Sequence, residues 1–326
     1  MFRFLVRRTL GAAVILLIIS AITFFLFYAV PADPARSFCG KTCDASTLAQ
    51  IKINLGMNES VPAQYWHWLV GIFAGRDYAA FGACAAPCLG YSFANKEPVL
   101  GTILDRFPAT ISLTLGAVVV FLIVGVGAGM LAAHKQGTII DKAASSISLF
   151  FSSMQIYFIG TVAMYFLVFK NQIFDQPHYN NFSDGIGPWF SGLLLAWLVL
   201  ALIFTANYTR MTRSSMIEQL TEEHVRTARA KGMSGRTVFM RFAWRGAMAQ
   251  IVTILGLDLG SLLGGAIITE TTFNIHGIGK LSIAAVVDND LPMLMAVVVV
   301  AAALIVFFNI IVDAVYALID PRIRLA

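Results

Sequence analysis

Six long apolar runs decide what this chain can fold into. They occupy about residues 10–30, 109–133, 143–169, 189–206, 247–269 and 293–312. A bilayer core has no water to satisfy open backbone groups, so only helices or closed barrels cross it. Each run has about 18 residues or more, which at about 1.5 Å per residue covers a core of about 30 Å. Barrel strands would alternate in polarity over about ten residues, and these runs do not. Composition agrees: 13% of residues are charged and 58% hydrophobic, against about 25% charged in soluble domains. The expectation is an all-α integral membrane protein with six transmembrane helices. Arg3, Arg7 and Arg8 precede the first run as in a signal peptide. That run is longer than the usual 7–15 residues of such a segment and no A-x-A site follows, so it is read as a retained span. The chain divides into an N-terminal span (1–30), an outer segment (31–108), a five-helix core (109–319) and a short tail (320–326).

Charge orients the bundle. With the N-terminus inside, fifteen of the 23 Lys and Arg fall on the inner side, eight of them between Arg210 and Arg245. Six of the eight outer ones lie in the long 31–108 segment, where the positive-inside rule has little force. Both termini are therefore placed in the cytoplasm. All four cysteines, Cys39, Cys43, Cys84 and Cys88, fall in the outer segment. An oxidising compartment permits disulfides there, in any of three pairings; free thiols or a metal site are the alternatives, and no histidine cluster supports the metal.

The inner connection, about 207–246, holds the most sustained polar stretch, "EEHVRTARAKGMSGRTVFMRFAWRGA". It reads as helix, stop, helix. Thr221 is the expected N-cap, with Glu222 and Glu223 in the first turn and Glu222 spaced i,i+4 from Arg226. About eleven residues later Gly232 ends the helix, and Ser234 caps a second one that runs into the fifth span. A topology-fixing basic loop is the simpler reading of the same charges. A nucleic-acid role is excluded because no binding fold is available.

The order of residues goes further. "VRTARAKGMSGRTVFMRFAWRGA" resembles the conserved cytoplasmic loop of bacterial ABC-importer permeases of the dipeptide and oligopeptide family. "MFRFLVRRTL", "PADPA", "QYWHWLVGIFAG", "RFPATISLTLGA", "LLGGAIITETTFNIHGIGKL" and "DAVYALIDPRIR" resemble further signatures of that family, in order, across nearly all 326 residues. Gln155, Gln250 and His276 depart from it, standing where members often have proline, and the cysteines are not part of its pattern. The resemblance implies a type I permease fold in the bacterial cytoplasmic membrane. It implies a coupling helix seated on a separate ATPase, with Glu223, Arg226, Thr227, Ala228, Ala230, Gly232 and Ser234 as its coupling residues. Partners so implied are a second homologous permease, two ATPase domains that bind ATP and Mg, an outer solute-binding protein and a peptide substrate. Nickel or glutathione import by the same permease type is the alternative.

No G-x4-G-K-S/T phosphate loop is present, since "GIGKL" lacks the spacing and the final hydroxyl. The chain is accordingly not expected to be an enzyme or to hold a cofactor or metal. An ion-driven secondary transporter is a competing class, but repeated halves and several midplane charges are missing. Asp258 lies eleven residues into the fifth span, where a carboxylate is costly and faces a partner or a cavity. It is read either as a structural bond to a neighbouring helix or, with Glu270, as part of a translocation path. Gly125, Gly127 and Gly129 in the second span are read as a helix-packing surface.

Overall fold

The computed structural model describes residues 2–28, 44–54, 59–78, 82–92 and 94–319. Cys39, Cys43 and the 320–326 tail lie outside them. The described residues form helices α1 (Phe2–Tyr28), α2 (Ala45–Asn54), α3 (Val61–Ala74), α4 (Val99–His134), α5 (Ile139–Ser152), α6 (Ile156–Lys170), α7 (Ile186–Thr221), α8 (Glu223–Ala230), α9 (Gly235–Leu263), α10 (Ile267–Thr272), α11 (Ile278–Val287) and α12 (Leu291–Ile319). Two small antiparallel hairpins join them: β1 (Arg76–Tyr78) with β2 (Gly82–Cys84), and β3 (Tyr91–Ser92) with β4 (Glu97–Pro98).

Five helices, α1, α4, α7, α9 and α12, are each long and apolar enough to cross a membrane. The run at 143–169, expected as one straight span, is instead α5 and α6 meeting at 94°. The break has a local cause. Ser153 turns its hydroxyl back onto the Leu149 carbonyl at 2.8 Å, and Gln155 adopts extended φ −81°, ψ 135° as the N-cap of the new helix. A serine pair that competes for helix carbonyls bends a helix without proline, and hydropathy is blind to it. Two other spans outrun their apolar cores. α4 begins ten residues before the run at 109, and α7 has 36 residues, about 54 Å, so it continues well beyond a bilayer core.

The chain forms two compact units. In the first, α3 is packed on α1: Phe24 stacks on Tyr28 at 4.4 Å and meets Tyr65 edge-on at 5.4 Å, while the Tyr65 hydroxyl bonds Ser20 at 2.9 Å. Trp68 donates its indole N–H to the Leu89 carbonyl at 3.0 Å. The Ser92 hydroxyl donates to the buried Asp290 carboxylate, whose other oxygen accepts from the Met293 N–H at the start of α12. Burial pushes the Asp290 carboxyl up, and the Ser92 bond opposes that shift. Cys84 and Cys88 form a disulfide inside a small cluster with Tyr78 and Tyr91. Mass spectrometry of alkylated, unreduced protein should recover Cys84 and Cys88 in one linked peptide. Finding both alkylated in protein never exposed to reductant would reject this pairing.

The second unit is built around α4 and α7. A Cβ on Gly125 would stand 3.0 Å from the Thr205 carbonyl oxygen, and one on Gly129 only 2.7 Å from that of Thr209. Gly127 meets nothing within 4 Å. Two of the three glycines are thus the packing surface expected of them, and the Thr209 hydroxyl crosses to the Gly125 carbonyl at 3.2 Å. Above this, Trp197 lies over Gly116 and donates to the Ser112 carbonyl at 3.0 Å. Below it, Arg213 forms a two-pronged ion pair with buried Asp141, and Asp141 also accepts from the Gly137 N–H at 2.9 Å.

Candidate functional site

The inner connection folds as helix, stop, helix, with different details from those expected. The Thr221 hydroxyl donates back to the Glu218 carbonyl at 2.7 Å, so Thr221 closes α7 and does not cap α8. Glu222 occupies the cap position with extended φ −65°, ψ 148°, and its carbonyl accepts from the N–H groups of Val225 and Arg226. α8 has eight residues, about 12 Å, rather than eleven. The acid paired with Arg226 is Glu223, at 3.1 Å and i,i+3, not Glu222. Both side chains are largely exposed, so the pair adds little stability.

The stop is as read from sequence. Gly232 has φ +75°, and its N–H and that of Met233 close on the Arg229 and Ala228 carbonyls at 2.9 and 3.3 Å. Ser234 accepts from the Thr237 N–H at 3.4 Å and starts α9, which continues unbroken into the fifth span. α8 rests on its own chain through Val225 (0% exposed) and Ala228 (3%), which meet Val238 of α9 among Leu220 and Phe242. Burying a valine contributes about 1.5–3 kcal/mol, so the short helix is fixed to the ends of two spans. Ala228 therefore belongs to this seat, whereas Glu223, Arg226, Thr227, Ala230, Gly232 and Ser234 are exposed. Val225 escaped sequence reading, and Val238 was read only as part of the helix entering the fifth span. The signal for the seat is the i,i+3 spacing of Val225 and Ala228 in a mostly polar helix.

Asp258 is half-buried on α9. Its carboxylate accepts from the Tyr208 hydroxyl at 2.8 Å and borders a cavity of about 290 Å³ lined also by Phe204, Asn207, Met211 and Ile254. The structural reading of Asp258, a bond to a neighbouring helix, is present, and its carboxylate also borders an opening. No ion pair neutralises it among the described residues. Asn207 points into the same cavity and accepts from Arg210 at 2.9 Å. Glu270 has no exposed surface and is not part of the cavity wall. Tyr208 and Asn207 carried no sequence signal beyond lying at the end of an apolar run. Among the described residues no three His, Cys, Asp or Glu side chains converge as a metal site.

Residues 1–114 match the N-terminal family of binding-protein-dependent transport system membrane components, and residues 125–325 match the binding-protein-dependent transport system inner membrane components. A probable peptide ABC transporter permease protein, y4tP, of Sinorhizobium fredii is 33% identical over 321 residues, covering 98% of this chain and 99% of that protein. A putative peptide transport system permease protein of Brucella abortus is 30% identical, covering 98% of each chain. The glutathione transport system permease protein GsiC of Escherichia coli is 31% identical over 324 residues, covering 99% of each.

Proposed function

The chain belongs to the family of binding-protein-dependent transport system inner membrane components, and from that premise we propose that it is the permease subunit of an ATP-driven peptide importer. The observation that carries the proposal is α8. A short helix with a charged outer face, pinned by Val225 and Ala228 to the ends of two spans, is suited to receive force from another protein. Its outward residues, Glu223, Arg226, Thr227 and Ala230, with Gly232 and Ser234 at the stop, are the contact surface for a cytoplasmic ATPase. Both termini then lie in the cytoplasm. ATP and Mg bind to two such ATPase domains, which serve this chain and a second, related permease. A solute-binding protein delivers substrate from the outer side.

Full-length similarity to peptide permeases favours peptides, and similarity of the same extent to GsiC keeps glutathione, itself a tripeptide, as the second reading. The Asp258 cavity is the proposed stretch of the path, where a carboxylate with no ion-pair partner among the described residues attracts the ammonium of a peptide. Uptake in vesicles holding the whole complex, with its ATPase and binding protein, tests both parts. ATP-dependent accumulation of labelled di- or oligopeptide is expected. Accumulation of glutathione alone, or uptake driven by an ion gradient without ATP, would overturn the peptide reading. In the same vesicles Asp258→Asn should lower peptide uptake about tenfold, equivalent to roughly 1.4 kcal/mol of lost attraction, with the ATPase still bound. Unchanged uptake would leave Asp258 as a helix-to-helix bond only.

A further inference from the structure

Next to α8, sharing Phe242 with its buried seat, is a second cavity of about 420 Å³. Its polar wall is His224 of α8, Gln219 near the end of α7, and Arg241 and Arg245 of α9; Phe242 and Ala249 supply an apolar wall. The two arginines are four residues apart on one helix and line the same space, an arrangement in which like charges repel. No carboxylate lines the cavity, and neither arginine has an ion-pair partner among the described residues. An anion is the missing element of such a site.

Depth says which anion. The apolar part of the fifth span begins at residue 247. Helical rise puts Arg245 roughly 3 Å and Arg241 roughly 9 Å outside that boundary. The headgroup layer of one leaflet is about 5–8 Å thick, so Arg245 falls within it and Arg241 near its outer edge. Ala249 extends the wall past the boundary to acyl-chain depth. Gly246 contributes the close floor: a Cβ there would fall 1.9 Å from the Gln219 amide oxygen, so this side chain lies directly against the helix.

We propose that this cavity is a binding site for the phosphate of an anionic phospholipid of the inner leaflet, held by Arg241 and Arg245 beside the coupling helix. The site rests on the orientation proposed above and is independent of what the permease carries. Its occupant would stiffen the junction of α7, α8 and α9 from the membrane side.

The test uses the full complex purified from vesicles of phosphatidylcholine doped with phosphatidylglycerol, with retained lipid read by native mass spectrometry. Wild type should retain phosphatidylglycerol in preference to phosphatidylcholine. R241Q/R245Q should reduce that retention about tenfold or more while the ATPase still co-purifies. Arg236→Gln removes a charge from the same loop outside the cavity and should leave retention unchanged. Ala249→Phe fills the apolar wall without touching either charge and should lower retention too. Equal loss in Arg236→Gln would mean diffuse attraction and overturn the site. Displacement of the lipid from wild type by inorganic phosphate would assign the cavity to a free anion instead. Loss of the ATPase from R241Q/R245Q with lipid retention intact would assign it to a partner carboxylate.

Discussion

Gly129→Val is expected to remove most of the folded protein from the membrane, while Gly127→Val, two residues away on the same helix, leaves its level near that of wild type. At Gly129 an added Cβ would lie 2.6 Å from the Thr212 Cβ and 2.7 Å from the Thr209 carbonyl oxygen. The second of these is backbone of the neighbouring helix and cannot rotate away. Overpacking a well-packed contact costs about 1–3 kcal/mol where side chains can yield, and here α4 and α7 must separate. Separation also breaks the Thr209 bond to Gly125, which depends on the same approach. At Gly127 the same substitution meets nothing within 4 Å, so the intrinsic helix preference of valine is the shared background and cancels in the comparison. Fluorescence-detected size-exclusion chromatography of membrane extracts measures both variants. A wild-type peak for Gly129→Val would show that close approach at this crossing is not needed.

Gly232→Val is expected to produce the opposite phenotype, a permease present at normal level that no longer transports. Gly232 has φ +75°, and nothing lies within 4 Å of a Cβ built on it. The cost is therefore in the backbone alone, on the order of 1–2 kcal/mol for a β-branched residue in this region. That cost is paid only while α8 ends where it does, so the stop between α8 and α9 is what shifts. The hydrogen bonds from Gly232 and Met233 to Arg229 and Ala228 move with it. Insertion should survive, because the glycine is exposed and no charge changes. Association with the ATPase and uptake should both fall about tenfold. A topology-fixing loop would tolerate the change, so full association with full uptake in Gly232→Val would remove α8 from its proposed role.

Legibility in the sequence followed the strength of each physical signal. Spans were readable because about twenty apolar residues leave the backbone few alternatives. The glycine stop and the Ser234 cap were readable because each rests on one residue's own chemistry. The 94° break at 153–155 was not, because two serines and a glutamine raise no warning in a hydropathy trace. The inward turn of Ala228 was missed because resemblance assigns a motif to a contact, whereas burial depends on the phase of an eight-residue helix. Tyr208 is the clearest omission. Asp258 announced itself as a costly charge, but the hydroxyl that meets it comes from fifty residues earlier, and only the α4–α7–α9 packing brings the two together. Glu270, within a recognisable signature, turned out fully enclosed.

The length of α7 has a mechanical meaning. Around Thr209 it comes close to α4, where Gly125 and Gly129 admit it. From there the helix extends about 18 Å to Thr221, beside α8, and about 34 Å the other way to Ile186. A rod held at such a point is a lever with unequal arms. Pivoting there, a sideways step of about 1 Å at the Thr221 end would become about 2 Å at the Ile186 end. Tyr208 sits at the fulcrum, where displacement is smallest. The hydroxyl that meets Asp258 would then stay almost still while both ends of the same helix travel.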